Sequence, residues 1–82
     1  MAHNHYLKVI VPVDRKTGNT NLSERCGDIL RSYRCTFGAI ESNPGDGTYY
    51  CQFTANSNVA DNVKRDLMRA FPNAIEITVD TL

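Results

Sequence analysis

Apolar and polar residues alternate through HYLKVIVPVD, with Leu7, Val9, Val11 and Val13 on one side and Tyr6, Lys8, Ile10 and Pro12 on the other. This is the period-two pattern of a strand buried on one face. Pro12 has no N–H to give and marks a position outside the hydrogen-bonded ladder. The spacing then changes. After the polar segment DRKTGNT, the residues Leu22, Cys26, Ile29, Leu30 and Tyr33 recur at helical intervals in NLSERCGDILRSYR, which predicts an amphipathic helix. Asn21 stands where an N-cap belongs, with Glu24 three residues further on. Gly27 inside this helix costs roughly 1 kcal/mol relative to alanine, and the expected compensation is a close approach of helix to sheet.

The segments CTFGAIES and TYYCQFTAN flank NPGDG, so two strands joined by a strong turn signal predict a hairpin. With Cys51 in the core, alternation sends Tyr49 and Phe53 inward and Thr48, Tyr50 and Gln52 outward. A second helix is predicted from Val59, Val63, Leu67, Ala70 and Phe71 in SNVADNVKRDLMRAF, capped by Ser57 or Asn58 and stopped by Pro72. The last strand, NAIEITVDTL, turns Ile75, Ile77 and Val79 inward and Glu76, Thr78 and Asp80 outward.

The order β-α-β-β-α-β predicts a ferredoxin-like α+β fold, a four-stranded antiparallel sheet with both helices on one face. The 82 residues are expected to form one domain, 1–82. Right-handed crossovers place the first and third strands in the centre. The other face of the sheet is then bare. Its outward positions, Lys8, Ile10, Tyr50, Gln52, Glu76 and Thr78, form the candidate partner-binding surface. The edge strands CTFGAIES and AIEITVDTL leave backbone groups open to pairing with a second copy, although Glu76 and Asp80 guard the latter.

Charge refines this picture. Nine basic and nine acidic side chains cancel, so the total draws the chain toward neither nucleic acid nor anionic lipid. The helical segments carry Arg25, Arg31, Arg34, Lys64, Arg65 and Arg69 against Glu24, Asp28, Asp61 and Asp66, which makes the helix layer the more basic part. Arg31, Lys64 and Arg65, with Arg15 and Lys16 in the first loop, make a secondary basic surface.

No apolar run approaches the length of a membrane span, and MAHNHY lacks the basic and apolar regions of a secretion signal, so the expected location is the cytoplasm. Cys26, Cys35 and Cys51 form no C-x-x-C pair and fall on apolar stripes, the pattern of reduced, buried thiols. His3 and His5 share one side of the first strand without an evident third ligand. They read as surface histidines, and neither a metal nor a cofactor is expected.

Two families resemble parts of the chain. The hairpin strand is similar to the RNA-recognition motif, whose signature runs basic, Gly, aromatic, Gly or Ala, aromatic, aliphatic, any, aromatic. Gly47, Tyr50 and Phe53 match it and Cys51 stands at the aliphatic position, whereas Asp46, Thr48 and Tyr49 depart from it. That resemblance implies single-stranded RNA bound on the outward sheet face. The loop DRKTGNTN resembles the acylphosphatase connection in placing Arg15 between the first strand and helix, without that family's surrounding glycines, and implies a small anion-loop hydrolase.

No Ser/His/Asp, Cys/His or paired-carboxylate set is legible. The leading expectation is a non-catalytic module that binds another protein through its surface, in the manner of a small inhibitor or regulator of phage or mobile-element type.

Overall fold

In a computed structural model, which describes residues 3–13, 22–43 and 45–82, the elements run β1 (His5–Ile10), α1 (Leu22–Ser32), β2 (Phe37–Asn43), β3 (Thr48–Phe53), α2 (Ser57–Ala70) and β4 (Glu76–Thr81). The sheet order is β2-β3-β1-β4 with every pair antiparallel. The fold is the ferredoxin-like arrangement, with β1 and β3 central.

One apolar layer explains the fold. Leu7 and Val9 of β1, with Tyr49, Cys51 and Phe53 of β3, meet Leu22, Cys26 and Leu30 of α1 and Ala60, Val63 and Leu67 of α2. All are buried. The alternation in β3 is clean: Tyr49, Cys51 and Phe53 are covered by the helices, while Thr48, Tyr50 and Gln52 stay partly exposed.

The element ends depart from the sequence pattern in identifiable ways. β1 stops at Ile10, so Val13 is 48% exposed, not part of the buried side. Ile75 precedes β4 and is 71% exposed, not inward. Tyr33 lies past the end of α1 and donates its hydroxyl to Asp66 Oδ2 on α2 at 2.6 Å, tying the helices together. α1 ends with Arg34 at φ 57°, where Cys35 N–H reaches Leu30 O at 3.0 Å and Arg34 N–H reaches Arg31 O at 2.9 Å. These two bonds close the last turn as a Schellman motif. Cys35 is buried in the connection that follows rather than on a helical or strand stripe.

The cap of α2 is Asn56, not Ser57 or Asn58: its side chain accepts from Val59 N–H at 2.8 Å in extended backbone. Asn21 lies outside the described residues. Gly27 does not serve a close approach to the sheet. A Cβ there would meet the Arg31 guanidinium at 3.1 and 3.4 Å, because Arg31 folds back across it. His5 is not a surface histidine. It is 8% exposed, stacks on Phe53 with ring centroids 5.6 Å apart, and meets Asn4 Oδ1 at 2.8 Å through Nδ1. His5 has the same strand parity as Leu7 and Val9, which is why it turns inward.

Candidate functional site

The strand registers set the outward face out as three rows crossing the sheet. Reading from β2 to β4, the first row is Gly38, Gln52, Tyr6 and Asp80, and the second is Glu41, Tyr50, Lys8 and Thr78. The third is Asn43, Thr48, Ile10 and Glu76. Antiparallel partners directly opposite one another share a face, so these side chains form one surface. All six expected contact residues, Lys8, Ile10, Tyr50, Gln52, Glu76 and Thr78, lie on it.

At its centre Tyr6 stacks on Tyr50, with ring centroids 5.8 Å apart and planes at 30°. The two residues are diagonal neighbours on the central strands, near enough for rings of this size to touch. Gln52 donates to Tyr50 Oη at 3.1 Å and fixes one edge of the pair. Lys8 Nζ lies 3.9 Å from Glu76 Oε2, and Thr78 Oγ1 donates to that same oxygen at 3.0 Å. With the Lys8 and Glu76 side chains each about half exposed, that ion pair orders the surface more than it stabilises the fold.

Beside the tyrosines, β2, β3 and β1 enclose an open concavity of ≈ 480 Å³ whose lining includes Lys8, Glu41, Asn43, Thr48 and Tyr50. A bulge in β2 determines this lining. Phe37 and Gly38 pair with Phe53 and Gln52, the pairing then shifts, and Glu41 pairs with Tyr50. Ala39 and Ile40 together oppose Cys51, and Ala39 takes φ 49°. An extra residue of this kind re-aims everything beyond it. Without it, Ile40 rather than Glu41 would stand against Tyr50.

Tyr6, Glu41, Asn43, Thr48 and Asp80 are site residues outside the six expected from the sequence. Alternation already gives Tyr6, Thr48 and Asp80 their outward side. What was missing was the β1–β3 register, which brings Tyr6 to Tyr50. Glu41 and Asn43 depend on the bulge, and CTFGAIES gives no sign of one because alanine occupies the left-handed position where glycine is at home.

The expected basic surface is divided. Arg15 and Lys16 lie outside the described residues. Arg31 is occupied, with Nη1 donating to Asp28 Oδ1 at 3.0 Å and its guanidinium carbon 5.7 Å from the Phe37 ring centroid. Arg65 lies 3.9 Å from Asp66, while Lys64 is exposed on α2. Arg25 covers Phe71, 4.9 Å from its ring centroid. Much of the helix layer's positive charge is therefore folded onto its own aromatics and carboxylates.

Among the described residues, no group of three or more histidine, cysteine or acidic side chains could hold a metal ion, and no helix is long and apolar enough to cross a membrane. The sheet edges are both interrupted as templates for pairing. The bulge breaks β2, and the Thr81 N–H of β4 is taken by Asp80 Oδ1 at 2.8 Å, two devices that discourage strand addition.

Fold and face together define a small α+β protein of ferredoxin-like architecture that carries a structured, partly aromatic surface on the side of the sheet away from its helices. The chain matches no protein-family model, no curated protein and no solved structure.

Proposed function

We propose that the protein is a non-catalytic binding module that docks a protein partner on the outward face of its sheet. The observation that carries this reading is the Tyr6–Tyr50 stack at the centre of the two middle strands, with Ile10 beside it and polar residues at the other positions around it. A rigid aromatic anchor inside a polar rim is the composition of a protein-binding hot spot. Among the described residues the rim holds Glu41, Glu76 and Asp80 against the single cation Lys8, so the complementary partner surface is basic.

A second reading has one observation in its favour. Aromatic rings on β1 and β3 also offer a stacking platform for single-stranded RNA. The same three carboxylates oppose a phosphate backbone, which is why the protein reading ranks first.

The test is capture of partners on the immobilised chain from its native host, followed by measured affinity for the captured partner. Tyr6→Ala and Tyr50→Ala should each weaken a protein complex by roughly tenfold or more, with a shallow dependence on salt. A captured RNA whose affinity falls steeply with salt would favour the second reading. A protein complex indifferent to both tyrosines but lost on Lys64→Glu would move the site to the helix layer.

A further inference from the structure

The concavity between β2, β3 and β1 has a charge pattern that selects its occupant. Glu41 is exposed, stands directly opposite Tyr50, and joins no ion pair or hydrogen bond with a described residue. Among the described residues Lys8 is the only cation in the lining, and its ammonium is drawn to Glu76 on β4, on the side of β1 away from Glu41. Tyr50, its ring braced by Tyr6 and Gln52, stands between Lys8 and Glu41 in the row that crosses the sheet. Thr48 adds a hydroxyl that can accept a hydrogen bond.

A carboxylate without a counter-charge beside a fixed tyrosine ring is complementary to a planar cation. A guanidinium can lie along the ring while its N–H groups donate in parallel to the carboxylate. An ammonium is more strongly hydrated and has no planar fork, so it would forfeit part of both contacts. A phosphate or carboxylate would meet Glu41 as a like charge.

We infer that this concavity receives an arginine side chain of the protein partner and is the specificity pocket of the docking face. The inference rests on the reading of that face as a protein-binding surface, and it assigns to the β2 bulge the task of bringing Glu41 to Tyr50.

An amide NMR titration of the full chain with N-acetyl-arginine methylamide tests it. The citrulline counterpart, which keeps the shape and loses the charge, and uridine monophosphate are the comparison ligands. The arginine derivative should shift the Glu41, Asn43, Thr48 and Tyr50 amides saturably at millimolar concentration, with the citrulline derivative weaker by roughly tenfold. Glu41→Gln, an exposed and near-isosteric change, should keep a folded spectrum and weaken the arginine derivative by roughly fivefold or more.

Equal response to arginine and citrulline, arginine binding unchanged in Glu41→Gln, shifts clustered elsewhere, no saturable shifts, or uridine monophosphate moving the same amides in place of arginine would each overturn the inference. A chain that captures a protein through Tyr6 and Tyr50 yet ignores the arginine derivative overturns the arginine pocket and leaves the docking face standing. A partner held by the helix layer overturns both.

Discussion

Tyr49→Ala is expected to cost roughly 3 kcal/mol or more of folding stability, while Tyr50→Ala, one residue along the same strand, stays within about 1 kcal/mol. Tyr49 is 1% exposed and packs in the layer shared by β1, β3 and the helices. Truncation leaves a cavity that a close-packed core cannot fill. The loss is a large share of the about 5–15 kcal/mol typical of small domains. Tyr50 loses its stack on Tyr6 and its bond from Gln52, both at the surface, where such contacts stand at the low end of a net range of about 0.5–1.5 kcal/mol. Urea unfolding of the two variants checks this. Equal losses would mean that the outward face is itself a covered core.

Strongly alkaline solution should unfold the protein. Burial pushes the Cys26 thiol from 9.0 up to about 12, with the neighbouring Cys51 adding to the rise. Burial likewise moves Cys51 to about 11, and burial raises Tyr49. In the unfolded chain these thiols release their protons near 9, so above that pH the unfolded state binds fewer protons than the folded one. Stability is therefore untouched by them below about pH 9 and falls as pH rises from there toward about 11 to 12, on the order of 1 kcal/mol per pH unit for each thiol. Unfolding free energies from urea titrations at pH 8 and pH 11 should differ by several kcal/mol, and Cys26→Ala should shrink that difference. A thiol reagent at pH 8 should find three free thiols after denaturation, since Cys26, Cys35 and Cys51 are unpaired and buried, and few before it. A flat profile from pH 8 to 11 would contradict this account of the core.

The order of elements and the central position of β1 and β3 were legible because two periodicities, two and 3.6, alternate along this chain with clear turn signals between them. Ends were less so. Val13 and Ile75 continue the strand alternation in sequence, yet the β1–β4 ladder runs only from His5–Thr81 to Ile10–Glu76, so both residues fall beyond it and lose their cover. His5, a surface histidine by the sequence pattern, is placed inward by strand parity and the Phe53 ring. Asn56 caps α2 one residue earlier than the pattern suggests, because Asn56, Ser57 and Asn58 in succession offer near-equivalent caps and only backbone geometry selects one.

The site was half legible for the same reason. Facing is a local property and alternation gives it. Adjacency is non-local and needs the register. That Tyr50 points outward follows from β3 alone, whereas its contact with Tyr6 and its proximity to Glu41 require the pairing with β1 and the bulge in β2.

The outward sheet face, and not the helix layer, is the surface proposed to meet the partner. Hydroxyl-radical footprinting of the chain alone and in its captured complex tests this directly, because oxidation of a side chain follows its exposure. Tyr6 and Tyr50 report on the sheet face, and Met68, 56% exposed on α2, reports on the helix side. The partner should protect both tyrosines and leave Met68 as reactive as before; protection of Met68 with Tyr6 and Tyr50 unchanged would contradict docking on the sheet face.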